Sequence, residues 1–343
     1  MPDDQENPAP SPSTAVPAVP PAPTAPTWLR IATLVVAAAA VAVVAWACAT
    51  SWGAVVHGHP AYAVLLALTL ALALGLVAGV RALRRRPARR GWRRAGGVAL
   101  LVAGAAGIVL VAWLRPFGAV EPALAAMRSD DAVTVSESAT RYELAPAGGG
   151  DGTAVFFQPG ARVDARAYAA VLRPLAEAGH TVVVAKQPLG IAFLAVGAFD
   201  GARAALPDEE RWVVGGHSLG GTVAAMEADA GDPGADDGGE APAVGLLLFA
   251  SYPAGDVRGT LTAAVESVSG SRDGLATPAK IDASRADLPA DSTFTVVEGA
   301  VHEQFGDYGP QPGDGTPTIS HDDARARISA AAVAFVDRLP SAS

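Results

Sequence analysis

The chain has 343 residues, half of them hydrophobic, with one cysteine and a formal net charge of −9. The charge is divided: residues 1–115 carry ten arginines against three acids, and residues 116–343 carry fifteen basic residues against thirty-one acids. This length holds one sizeable core plus extra segments; the acidic second part excludes nucleic acid as an electrostatic partner, and the lone Cys48 excludes an internal disulfide.

Residues 1–27 read as a disordered tail. PDDQENPAPSPSTAVPAVPPAPTAPT is dominated by proline and alanine and has no apolar periodicity. The composition then changes sharply. Ile31–Ala49, Pro60–Val80 and Ala95–Leu114 contain no charged residue, and each is close to the roughly 20 apolar residues that a helix needs to cross a bilayer. Three such stretches in succession predict a three-span transmembrane anchor over residues 28–115 rather than buried core helices. Trp28, Trp46, Trp52, Trp92 and Trp113 fall at or near the ends of these stretches, where amphipathic rings favour the interface. The link RALRRRPARRGWRR, residues 81–94, holds eight arginines, and SWGAVVHGHP after the first span holds none. Arginine-rich links stay cytoplasmic. The tail is therefore expected in the cytoplasm and everything after Pro116 outside it, in a multi-pass cell-membrane protein. A cleaved signal at Ala47-Cys48-Ala49 is disfavoured by the long leader. His57 and His59 form a His-x-His pair, but no other ligand type lies nearby, so an interfacial loop is expected there rather than a metal site.

Residues 116–343 alternate between strand and helix signals. Val133–Leu144 partly alternates and predicts an early antiparallel strand or hairpin. Thr153–Gln158, Thr181–Ala185, Trp212–Gly215, Val244–Ala250, Leu261–Val268 and Phe294–Glu298 are short apolar strand candidates. Helical spacing runs over Arg166–Glu177, with Pro174 predicting a kink or an early end. Leu189–Ala205 and Leu219–Ala230 are also expected to be helical, and residues 231–242 a polar loop. Ser320 with Asp323 three residues on gives a capping pattern for a last helix that buries Ile328, Ala332, Phe335 and Val336. Short apolar strands alternating with helices predict an α/β domain, with a mostly parallel sheet covered on both faces.

Gly216-His217-Ser218-Leu219-Gly220 fits G-x-S-x-G between a strand and a helix. The glycines let the two backbones approach closely and force the serine to the apex of the turn, facing a helix N-terminus that favours negative charge. A serine hydroxyl needs a base, and the chain order expected for such an elbow is serine, acid, histidine. His302, directly after the last strand, is preferred as the base. His321 is expected to cap or lie on the surface, His217 to point away from the nucleophile, and His180 to be structural. Asp273, shortly after the preceding strand, is preferred as the acid that orients the imidazole, with Asp256 as its substitute. The oxyanion requires two backbone amides: that of Leu219, and one from the loop after Gln158. Pro159 has no N–H, so Gly160 or Ala161 must donate, and Ala161 is favoured.

The segments FFQPGARVDARAYAAVLRPLAEAGHTVVV, GGHSLGG, SGSRDGLA and GAVHEQFGDYGPQPGDGTPTIS together resemble the alpha/beta-hydrolase fold superfamily, in its compact branch related to dienelactone hydrolase. The resemblance covers roughly residues 130–340. It implies a Ser218–Asp273–His302 triad, no cofactor and no metal. Dienelactone hydrolase uses cysteine where this chain has Ser218, so its substrate does not carry over. The stretch between Ala250 and Leu261 is too short for a helical lid, which predicts a shallow pocket walled by His302 and the loop after it. Gln304, Phe305 and Tyr308 are candidates either to line that pocket or to pack. The expected function is a membrane-anchored serine hydrolase acting on a small-molecule or lipid-like ester through an acyl-enzyme. The alternatives are an acyltransferase, or a non-catalytic binding or scaffold protein on a hydrolase fold. A transport role is disfavoured because the spans hold no acid or base. Neither the substrate nor the oligomeric state is legible.

Overall fold

The computed structural model describes residues 27–83, 92–230 and 242–340. The expected tail up to residue 26, residues 84–91 of the arginine-rich link and residues 231–241 of the polar loop lie outside the described residues.

Three helices open the described chain: α1 (Thr27–His57), α2 (Pro60–Leu83) and α3 (Trp92–Trp113). All three are long and apolar enough to cross a membrane. Most of their large side chains face outward, as lipid-facing helices require. α1 runs well past the expected Ala49, with a break at Ser51 (φ −140°, ψ 29°). Beyond that break Val55 is buried in a cluster with Tyr62, Leu66, Val111 and Leu114, Ala54 is buried beside Val163 and Ala165, and His57 Nδ1 lies 3.2 Å from Glu137. Ser51 Oγ ties the break down by donating to the Pro116 carbonyl at 3.0 Å and accepting from Arg115 Nη1 at 2.8 Å.

After the short helix α4 (Ala123–Ala126), the chain enters a sheet. Its strands are β1 (Val133–Glu137), β2 (Arg141–Pro146), β3 (Thr153–Gln158), β4 (Thr181–Ala185), β5 (Arg211–His217), β6 (Gly245–Phe249), β7 (Ala264–Gly270) and β8 (Thr293–Val297). Among the described residues these form one sheet in the order β1-β2-β4-β3-β5-β6-β7-β8. β1–β2 and β2–β4 pair antiparallel and every other pair is parallel. The central strands are buried along their whole length, which is why their sequences read as unbroken apolar runs.

Helices cover both faces. On one face α5 (Ala169–Glu177) and α9 (His321–Asp337) pack Val171, Leu172, Ile328, Ala332 and Phe335 onto Val155, Phe157 and Val213. On the other, α6 (Ala198–Ala205) and α7 (Leu219–Asp229) pack Phe199, Ala202, Ala224 and Ala228 onto Phe156, Val214 and Leu246. Each fully buried Leu or Phe contributes about 1.5–3 kcal/mol of transfer free energy. The last helix opens as its sequence implies, with Ser320 Oγ accepting the Asp323 N–H at 3.0 Å.

Four expectations change. Leu189–Ala205 is not one helix: 3-10 turns at Pro188–Gly190 and Ala192–Leu194 precede α6, because Leu189, Gly190 and Gly197 all take left-handed φ values. Pro174 does not end α5, which continues to Glu177. The strand expected from Leu261 starts at Ala264. A helix α8 (Pro278–Ser284) lies where the sequence showed no element.

Candidate active site

The turn from β5 into α7 carries Ser218 at φ 52° and ψ −124°, a conformation that non-glycine residues rarely adopt. Its neighbours over-determine it. Ser218 N–H donates to the Phe249 carbonyl at 3.0 Å, and Ser251 Oγ donates to the Ser218 carbonyl at 2.6 Å. A Cβ on Gly216 would sit 2.4 Å from the Gly220 carbonyl carbon, and one on Gly220 would sit 2.1 Å from the Gln158 oxygen. Those glycines are therefore required by close backbone approach. The Ser218 hydroxyl accepts and donates no hydrogen bond within the described protein, and it opens on a groove of about 210 Å³ lined by Leu219, Thr222, Ala250, Tyr252 and Ala276.

Asp273 and His302 meet directly. Asp273 Oδ2 lies 2.7 Å from His302 Nδ1, and Oδ1 accepts the Leu275 and Ala276 N–H groups, each at 2.7 Å. Both residues are almost fully buried. The carboxylate is thus held on three sides and fixes the ring. His302 Nε2 is buried with no partner and is not hydrogen-bonded to Ser218. Asp256 is engaged elsewhere, with Arg258 at 2.9 Å. His321 Nε2 lies 3.1 Å from Asp307, and His180 Nε2 lies 2.9 Å from Asp337.

The pocket walls differ from expectation. His302 is only 1% exposed, Phe305 is fully buried and Tyr308 nearly so. Gln304 braces the backbone: its Oε1 accepts the Val301 N–H at 3.0 Å and its Nε2 donates to the Ile319 carbonyl at 3.2 Å. These residues pack, and the groove is walled instead from the loops after β6 and β7.

The sequence also missed a polar chain beneath the site. Tyr168 Oη accepts the Gly160 N–H at 2.9 Å and lies 2.8 Å from His217 Nδ1. The assignment that satisfies these groups has the tyrosine hydroxyl donating to a neutral imidazole. Burial, followed by the charge of His302, holds His217 well below the usual histidine range. The His217 and His302 rings are 4.5 Å apart between centroids, so His217 lies under the candidate base. Strand parity contained the signal: His217 falls on the same face of β5 as Val213, the face that Tyr168 covers. The chain commits the Gly160 amide to Tyr168. The Ala161 and Leu219 N–H groups donate to no acceptor among the described residues.

Behind the elbow, Gln158 Nε2 donates to Glu227 Oε1 at 3.0 Å. Burial pushes the Glu227 carboxyl from 4.5 up to about 8. The unfolded chain releases this proton near its ordinary value while the folded chain keeps it. Stability therefore falls as pH rises from about 4.5 to about 8 and levels off above that. The total loss is on the order of 3–5 kcal/mol. Glu227→Gln is expected to remove that slope, so that melting temperatures measured at pH 5 and pH 8 converge. A slope unchanged by the substitution would assign the pH dependence to other groups.

The model of the alpha/beta hydrolase family matches residues 154–326. No curated protein matches the chain. Among solved structures it is similar to Thermogutta terrifontis esterase 2 phosphonylated by sarin, at 16% identity over 61% of this chain and 95% of that one, TM-score 0.43. It is also similar to a monoacylglycerol lipase from Paleococcus ferrophilus, at 14% identity over 58% and 98%, TM-score 0.43. A thermostable esterase from Pseudomonas putida ECU1011 stands at 16% identity over 64% and 87%, TM-score 0.44.

Proposed function

Because the chain belongs to the alpha/beta hydrolase family, we propose that it is a membrane-anchored serine hydrolase that cleaves ester-like substrates through Ser218, His302 and Asp273. The observation that supports this reading is a buried imidazole with a free Nε2, fixed by a carboxylate that accepts from the Leu275 and Ala276 amides, two residues lining the groove on which the strained Ser218 opens. Catalytic hydrogen bonds of this kind are often absent in the free enzyme and close when substrate binds.

In this mechanism Ser218 Oγ attacks the ester carbonyl carbon while His302 Nε2 takes its proton. Asp273 keeps the proton on Nδ1 and stabilises the imidazolium. The oxyanion accepts from the Leu219 and Ala161 amides, at the N-terminal end of α7. His302 then gives its proton to the leaving alcohol. Water, deprotonated by the same nitrogen, releases the acid and restores the serine. The three spans form the anchor, and the arginine-rich link after the second span supports an extracytoplasmic position for the hydrolase part.

Two fluorophosphonate probes test both parts, one membrane-permeant and one not, applied to intact cells. Both are expected to label the protein. A folded protein that neither probe labels overturns the hydrolase reading. Labelling by the permeant probe alone overturns the sidedness.

A further inference from the structure

The rim of the sheet that carries the candidate site is also the rim attached to the spans. In the loop after β3, immediately following Ala161, Arg162 takes φ 61°. Its side chain donates to the Trp113 carbonyl at the end of α3 and lies over the Trp113 ring, 4.6 Å from the centroid. The loop after β4 runs beside it, with the Arg162 N–H donating to the Gly190 carbonyl at 2.6 Å. That second loop lies against the spans, with its turn Pro188–Gly190 on α2. Leu189 and Ile191 pack against the cluster formed by Ala47, Tyr62, Leu66, Val111 and Leu114.

The depth of this contact can be read from its neighbours. Trp46, Trp113, Arg115 and Arg162 lie together at the junction, with Arg115 over the Trp46 ring at 4.6 Å. Aromatic rings and snorkelling arginines of this kind mark headgroup level. Leu114 follows Trp113 in the chain, and Leu189 lines one pocket with Leu114 and Tyr62, so the loop meets the spans at that level. The loop then exposes three large apolar side chains within four residues: Phe193 at 48%, Leu194 at 56% and Val196 at 57%. No charged residue occurs between Lys186 and Asp200. Ala192 is buried, and the turn Ala192–Leu194 lies against α7, the helix that starts at Leu219. A water-facing loop gains nothing from such a surface. A loop continuous with the outer surface of the spans buries it in acyl chains.

From this placement we infer that the 189–196 loop is immersed in the adjoining leaflet and that the substrate is the acyl ester of a membrane amphiphile drawn from that leaflet. The substrate class rests on the hydrolase reading above; the immersion does not.

The test uses the full chain in phosphatidylcholine proteoliposomes. Phe193→Ser, Leu194→Ser and Val196→Ser are combined in one variant; all three side chains are exposed, so folding does not depend on them. Hydrolysis of umbelliferyl palmitate dissolved in the bilayer is expected to fall at least tenfold, with p-nitrophenyl acetate hydrolysis within twofold of the parent. Equal effects on both esters, or none on either, overturn the inference. A second readout needs no catalysis: Leu194→Cys in a Cys48→Ala background carries an environment-sensitive fluorophore. Quenching by lipids brominated in the acyl chain, with shielding from iodide, is expected. Quenching by iodide alone places the loop in water and overturns the immersion. Shielding from both quenchers means that protein, such as a second copy of the chain, covers the loop, and also overturns it. A parent chain that hydrolyses neither ester overturns the hydrolase reading and the substrate class together, and the fluorophore then reports the immersion separately.

Discussion

Ser218→Ala is expected to abolish fluorophosphonate labelling and to lower ester turnover by about 10⁶-fold, the scale on which removing a triad nucleophile acts. Residual activity comes from binding and the two amides alone. The same position makes a second, opposite prediction about stability. Ser218 sits at φ 52° and ψ −124°, where a Cβ is strained by about 1–3 kcal/mol. Ser218→Gly relieves that strain, so it is expected to melt at a higher temperature than the parent while being equally inactive. Thermal melts beside turnover assays check both. A Ser218→Ala protein that retains full turnover would remove the nucleophile from the mechanism.

Asp273→Asn is expected to reduce turnover by about 10⁴-fold with little change in substrate KM. The reason lies in the three bonds to the carboxylate. Oδ2 faces His302 Nδ1 at 2.7 Å, while Oδ1 takes the Leu275 and Ala276 amides. An amide at this position keeps its oxygen on the two N–H groups and turns its NH₂ toward the imidazole. His302 must then accept at Nδ1, which places its proton on Nε2, the wrong side for a base. Asp273→Ala is a different experiment, because it also strips acceptors from two amides, one of them in buried Ala276. It is expected to lose stability as well as activity. A pH–rate profile of Asp273→Asn that shows recovered activity at high pH agrees with the tautomer account; wild-type turnover in the variant refutes it.

Much of this was legible from residue order. The spans announced themselves because nothing charged interrupts Ile31–Ala49, Pro60–Val80 or Ala95–Leu114. The inner strands β3, β4 and β6 did so because strands buried on both faces are mostly apolar from end to end. The elbow was visible in five residues, and chain order alone nominated Asp273 and His302, which the fold joins at 2.7 Å. The failures have physical causes. In Leu189–Ala205, apolar spacing suggested a helix, but glycines at 190 and 197 in left-handed geometry cut it into turns. α8 escaped notice because only Ile281 and Ser284 of its seven residues are buried, too few to set a period. The packing of His217 under His302 depends on three segments, 160–168, the elbow and the stretch after β8, meeting from distant parts of the chain. Periodicity gives its face but not its companions.

The short stretch between α3 and α4 has a practical implication. Phe117 bridges to Val163, its N–H donates to the Arg162 carbonyl at 2.7 Å, and the Asp164 N–H donates back to it at 2.9 Å. The buried Asp164–Arg166 pair, at 2.6 Å, closes the same knot. Backbone from the end of the third span is thus stitched to the segment that presents the Ala161 amide. Trimming the chain to a soluble fragment beginning beyond Phe117 would not simply cut a tether. It would unpick the seam beside the Ala161 amide, one of the two proposed oxyanion donors, so a fragment cut there and the parent should be assayed as different molecules.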